Sequence, residues 1–276
     1  MQKCTFRTDF ADEMITKDVK EEGFDFVEKQ NKWVLVHDIT VSKEKNRLSK
    51  PVGDYITIEG FDLMDEHCRS SMEEALLETL IKLGNLKHKQ KVLVVGLGNR
   101  FLASDCLGPR VLDDIVVTAH LFEQLQYQKD DIKQVACLQP GVMGQTGFES
   151  FDIVKAVCDF YKPNLLILID ALATSNIQRL NKVIQVTNTG IQPGSGVGNY
   201  RKAFDQRALS VPVLSIGVAT VTSIQSIVHD LFDNQEDLPE ISQEDNYIVT
   251  PKSIDQDMDL LVSILANAIN TFTGTL

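Results

Sequence analysis

The sequence predicts an α/β fold with a mostly parallel central sheet and helices on both faces, and three observations carry that prediction. Apolar runs of strand length recur at Val92–Val95, Val135–Leu138 and Leu165–Ile169, rich in branched residues and bounded by glycine or polar turns. Helical patterns separate them: one after Pro109, and an amphipathic segment carrying Ile153, Val154, Val157 and Phe160. Strand, helix, strand, helix, strand at this spacing is how a right-handed parallel unit is built. At 276 residues and 43% hydrophobic content the chain can bury a full core.

Taken in order, the first 30 residues are charged and carry few strand signals, with Phe6, Phe10 and Phe24 isolated, so they read as an arm. Trp33–Val36 and Tyr55–Glu59 have strand chemistry and are expected to form a hairpin beside the main sheet, with the polar stretch Ser42–Arg47 as a loop between them. Ser71 with Glu74 has the form of a capping box. Met72, Ala75, Leu76, Leu80 and Leu83 follow at helical spacing until Gly84 stops the run. Pro109 suits the first turn of a helix running on through Val111, Leu112 and Ile115. Val183–Thr187 and Val213–Val218 add two more strands to the same body. A helix through Ile224, Ile227, Val228 and Leu231 follows, then an acidic linker from Asp233 to Asp245, and a last helix carries Met258, Leu261, Val262, Leu265 and Ile269. The expectation is a single domain with an N-terminal arm.

Composition excludes several classes. A net charge of −12 argues against direct binding to nucleic acid, whose phosphates call for a basic surface. No apolar stretch reaches the roughly 18 residues a membrane helix needs, and no signal-peptide core follows Met1–Arg7, so a cytoplasmic protein is expected. Five scattered cysteines without a C-x-x-C pair indicate neither a disulfide framework nor a zinc knuckle. The five histidines are dispersed, so no metal or cofactor is expected. Gly96-x-Gly98 follows a strand, but Phe101 stands where a dinucleotide fingerprint needs its third glycine, and there is no G-x-S-x-G elbow.

What remains is a pair of carboxylates. Asp105 follows the strand at 92–95 through Gly96-Leu-Gly-Asn-Arg100, and Asp170 stands just past Leu165–Ile169. In open α/β sheets ligands gather outside the carboxyl ends of the strands, so both aspartates are placed to share a catalytic site for acid/base hydrolysis. A helix starting near Pro109 would favour ionised Asp105 and lower the pKa of Cys106. The glycine-rich stretches Gly141–Gly147 and Asn188–Lys202 offer backbone N–H groups, making Gly141, Gly144, Gly194, Gly196 and Gly198 candidate substrate-binding positions.

At these residues the chain resembles the germination proteases of spore-forming bacteria. The stretches that carry the resemblance are Val92-Leu-Val-Val-Gly-Leu-Gly-Asn99, Asp105-x-Leu-Gly-Pro109, Pro140-Gly-Val-Met-Gly-x-Thr-Gly147, Ile169-Asp-Ala-Leu-Ala173, Thr189-Gly-Ile-x-Pro-Gly-Ser-Gly-Val-Gly-Asn199 and Ile248-Val-Thr-Pro-Lys252. The resemblance implies a fold similar to hydrogenase-maturation peptidases. It also implies an endopeptidase of the spore core that degrades small acid-soluble spore proteins, made as an inactive homotetrameric precursor, with its two essential aspartates at Asp105 and Asp170. The chain departs from the family pattern at Asn188, Gln192 and Ser223, where the resemblance implies Asp, His and Asp, and the region after Phe232 is shorter.

Thr8-Asp-Phe-Ala-Asp-Glu13 resembles the sequence such proteases cut in their substrates: acidic, Phe or Ile, Ala, small, Glu. Self-processing is therefore expected between Asp9 and Phe10, dividing the chain into a propeptide arm, 1–9, and a peptidase domain, 10–276. Two other readings are a maturation-type peptidase whose carboxylates hold a metal, and a non-catalytic peptide-binding protein on the same fold.

Overall fold

The computed structural model describes residues 8–15, 23–87, 90–124, 132–194, 201–231 and 247–275. Its strands are β1 (Phe24–Gln30), β2 (Val34–Val41), β3 (Gly53–Gly60), β4 (Lys91–Gly96), β5 (Gln134–Leu138), β6 (Leu165–Ala173), β7 (Val183–Thr187), β8 (Val213–Ser223) and β9 (Ile248–Val249). Its helices are α1 (Glu66–Gly84), α2 (Leu107–Val111), α3 (Ala119–Gln124), α4 (Met143–Thr146), α5 (Ser150–Tyr161), α6 (Gln206–Leu209), α7 (Ile224–Leu231) and α8 (Ile254–Thr273). The strands form one sheet in the order β1-β2-β3-β7-β8-β6-β4-β5, with β9 paired to β8.

The sheet is mixed, which corrects the mostly parallel one expected. Only β8-β6-β4-β5 are parallel; β1, β2, β3 and β7 run antiparallel to their neighbours, and so does β7 to β8. The reason lies between β6 and β7. Residues 174–182 hold only a 3₁₀ turn at Ile177–Arg179, too little chain for the crossover of a dozen or more residues that a parallel return requires. The expected hairpin of β2 and β3 forms, but it is built into the main sheet through β3 and β7.

Alternation along β4 fixes the layers. Val92 and Val94 enter a core with Leu76 of α1, Leu107 of α2 and Leu265 of α8, while Leu93 and Val95 face Val154 and Cys158 of α5 on the other side. Helices thus cover both faces of the parallel half, as that arrangement demands of strands apolar on both sides.

Other expectations are corrected locally. Helix α1 starts at Glu66, where Asp65 accepts a hydrogen bond from the His67 N–H at 2.8 Å, so Ser71 lies within the helix and caps nothing. The helix at Pro109 is α-helical only over Leu107–Val111 and tightens to 3₁₀ over Leu112–Asp114, with Ile115 already extended. The described residues of the N-terminal arm are packed on the body: β1 pairs along β2, and Phe10 and Ala11 are fully buried. Phe160, expected on the apolar face of α5, points outward. Cys4 and the 233–245 linker lie outside the described residues.

Candidate active site

Strand β6 does not end before Asp170 but continues to Ala173, because its ladder with β8 outlasts its ladder with β4, whose last pair is Gly96 with Ile169. Asp170 therefore sits at the lip where one neighbour stops. Asp105 reaches the same lip on the loop leaving β4. That loop can descend because two glycines leave room. Gly98 takes φ +106°, and a Cβ there would meet the Asp105 carbonyl oxygen at 2.2 Å. A Cβ on Gly108 would meet the carbonyl oxygens of Leu97 and Ile169 at 2.4 and 2.6 Å. Gly108→Ala is accordingly expected to cost about 1 to 3 kcal/mol by overpacking against backbone and to displace Asp105, seen as a lower Tm together with slower proteolysis. Arg100 ties the loop down, bonding Asp113 at 2.8 and 3.0 Å and the Pro109 carbonyl at 2.9 Å.

Both carboxylates line one cavity of about 410 Å³, together with Asp9, Ser104, Val142, Phe151, Gly194 and Arg201. Burial pushes Asp170 well above the usual carboxylate range, and the nearby charges of Asp105 and Asp9 push the same way. Asp105 is raised too, by burial, against the Asn99 N–H, which donates to its Oδ2 at 2.9 Å, and the charge of Arg201. The expectation of an Asp105 biased towards its ionised form is not met, since burial outweighs the Asn99 N–H and the Arg201 charge. Cys106 follows suit: burial raises its thiol, which donates to the Ala103 carbonyl. Two carboxyls with raised affinity at one cavity can share a proton, so one accepts from water while the other donates.

The segment 8–15 reaches this cavity at Asp9. The Asp9 N–H donates to the Ala173 carbonyl at 3.0 Å and Asp9 Oδ2 accepts from the Ala173 N–H at 2.9 Å. Phe10 fills an apolar pocket with Leu172, Val183 and Ala219, a burial worth about 1.5 to 3 kcal/mol. Glu13 accepts from the Ser175 N–H at 2.8 Å, from the hydroxyls of Ser175 and Thr174, and from Arg179 Nη1 at 2.8 Å. Asp12 is held by Arg179 Nη2 at 2.7 Å and His37 Nδ1 at 2.8 Å.

The segment's grip should depend on pH. The Asp12 hydrogen bond raises His37 against its partial burial, with Glu28 adding to the rise. For Asp12, burial pushes upward, but His37 and Arg179 outweigh it and leave it below its ordinary value. A raised histidine stabilises below its unfolded value and loses that contribution as pH climbs through the folded one; a depressed aspartate stabilises above its unfolded value and loses it on acidification. Docking is thus expected to be tightest between about pH 4 and 6.5. His37→Gln should flatten the alkaline side of that window, read as exchange protection of the Asp9 and Ala11 amides against pH.

Of the glycines expected to bind substrate, Gly194 lines the cavity; Gly141 lies just before α4 and Gly144 within it, and between them Val142 is the lining residue. Gly196 and Gly198 lie outside the described residues. Asn188 bonds Asp54 through both its amide oxygen and nitrogen, Gln192 donates to the Arg201 carbonyl, and Ser223 bonds Ser226. Sequence reasoning missed Arg179, Lys50 and Gln185, all of which touch the docked segment. Among the described residues no three His, Cys, Asp or Glu side chains are grouped to hold a metal ion, and no helix is long and apolar enough to cross a membrane.

The family model for germination protease matches residues 7–236. The germination protease of Caldanaerobacter subterraneus subsp. tengcongensis is 36% identical, with 96% of this chain and 93% of the relative covered. That of Clostridium tetani is 34% identical over 98% of this chain and 87% of the relative, and that of Priestia megaterium 39% over 75% and 58%.

Proposed function

The chain belongs to the germination protease family, and on that premise we propose that it hydrolyses small acid-soluble spore proteins with the Asp105 and Asp170 pair, after first cutting itself between Asp9 and Phe10. The observation that carries the reading is the docking of Thr8–Glu13, a substrate-like sequence, so that Asp9 lines the cavity of the two carboxylates. An inserted segment of this kind excludes other substrates, which is how a precursor stays inactive.

The pair supplies the two proton transfers. One carboxylate takes a proton from water, whose oxygen attacks the carbonyl carbon; the other, kept protonated by burial and by its neighbour's charge, gives its proton to the leaving nitrogen. The pair ends as it began, holding one proton, and titrates as a unit. Residues past the cut are read by the Phe10 pocket and by the Arg179, Thr174 and Ser175 cluster.

The test is digestion of a purified small acid-soluble spore protein with the pre-incubated chain, followed by mass spectrometry. Cuts between an acidic residue and Phe-Ala or Ile-Ala are expected. Intact spore protein, or cleavage unaffected by Asp105→Asn, would contradict the proposal.

A further inference from the structure

The carbonyl oxygen of Asp9 is met by two side-chain donors, Lys50 Nζ at 2.9 Å and Gln185 Nε2 at 3.2 Å. We propose that Lys50 and Gln185 are catalytic residues, the pair that polarises the scissile carbonyl and stabilises its oxyanion from the side opposite Asp105 and Asp170. The inference rests on the reading that the bond after Asp9 is the one cut.

Sheet register supports this assignment. Asp170 on β6 and Gln185 on β7 are each directly opposite Gly217 of the intervening β8. Directly opposed residues share a face, and strands lie about 4.8 Å apart, so the two side chains flank a slot about 10 Å wide. Gly217 brings no side chain to that slot, and its floor is the Leu172 side chain, 2.3 Å from where a Gly217 Cβ would stand. Asp9 accordingly lines two cavities, one holding Asp105 and Asp170, the other, of about 420 Å³, holding Lys50, Gln185 and Gly217. The Asp9 carbonyl oxygen thus faces the amide and the ammonium, while Asp9 also lines the cavity of the two carboxylates.

Each donor is positioned, Gln185 by the docked segment and Lys50 by its own loop. Gln185 is oriented by its other amide atom, Oε1, which accepts from the Ala11 N–H at 2.8 Å. Lys50 follows Ser49, held at φ +51°, in a loop folded around Asn46, whose Nδ2 donates to the Lys50 carbonyl at 2.8 Å. Burying the Lys50 ammonium costs desolvation, which the charges of Asp9, Glu13 and Asp12 return only in part. The return grows when the carbonyl oxygen carries charge, which is the condition for a group that binds the transition state better than the ground state. In the step itself the water oxygen bonds to the Asp9 carbonyl carbon and its proton passes to one carboxylate. The C=O electron pair moves onto the oxygen facing Lys50 and Gln185. Collapse then breaks the bond to the Phe10 nitrogen, which takes the proton of the second carboxyl.

The experiment follows self-cleavage of the full-length chain by intact mass at mildly acidic pH, and in parallel the exchange protection of the Asp9 and Ala11 amides. Lys50→Met is expected to slow the first-order rate about 10² to 10³-fold, the usual effect of losing an oxyanion donor, while protection persists. Lys50→Arg should recover part of the rate, and Gln185→Met should lose rate as well. If Lys50→Met does not fold, Lys50→Gln carries the test. A Lys50 variant within about threefold of wild type, far from an oxyanion-donor effect, or one losing rate and protection together, overturns the proposal. Cleavage at another bond overturns it while the protease reading stands. A wild-type chain that cuts neither itself nor a spore protein contradicts the protease reading itself.

Discussion

Asp170→Asn is expected to slow both self-cleavage and turnover of spore protein by at least about 10²-fold, the contribution of one proton-transfer group. The fold should not suffer. Asn matches the volume of Asp, and the raised affinity of Asp170 for its proton means that ionising it costs stability as pH rises above the ordinary carboxylate value. Thermal unfolding at neutral pH should therefore give a Tm at or above that of wild type. Asp105→Asn should show the same loss of rate. The wild-type rate should fall on the acid side as the pair gains a second proton and on the alkaline side as it loses the shared one. Because burial raises both groups, the window sits above the ordinary aspartate range. A single variant with near-native turnover would contradict the shared site.

Arg179→Leu is expected to release the N-terminal segment. Its guanidinium pairs with Asp12 at 2.7 Å, Glu13 at 2.8 Å and Glu59 at 3.3 Å, with the side chains of Arg179, Asp12 and Glu13 all at or below 8% exposure. Removing one partner of a buried pair typically costs about 3 to 5 kcal/mol, because the remaining charge is left without compensation. Here the chain has an escape: residues 8–15 can leave and return Asp12 and Glu13 to water. The loss should thus appear chiefly as exposure of the segment, read by limited proteolysis at Phe10, with a smaller drop in Tm. Self-cleavage should fail for want of docking even though Asp105 and Asp170 are untouched. Continued protection of Phe10 would show that the ion pairs contribute nothing to the docking.

The contrast between these two sites marks what a sequence discloses. Asp105 was legible from the glycines around it and Asp170 from the apolar run that leads into it. Arg179, Lys50 and Gln185 were not, since each comes to the segment from a different element and none carries a local pattern. Lys50 sits in a polar loop, and Gln185 is one polar residue inside an apolar strand. In the fold, the parallel half was readable from its alternating helices and strands. Strand β1 was missed because its apolar alternation stops at Phe24 and Phe26, the rest of this edge strand from Val27 to Gln30 being exposed. The orientation of β7 did have a signal, the shortness of residues 174–182, which the apolar pattern of the strand alone does not convey.

The most direct test of the Asp9 assignment is the new amino terminus formed when the purified full-length chain is incubated at mildly acidic pH, with Asp105→Asn and Asp170→Asn alongside. The expected result is a wild-type chain beginning at Phe10 and two variants still beginning at Met1. All three remaining intact, or all three trimmed alike, would contradict cleavage of the Asp9–Phe10 bond by the aspartate pair.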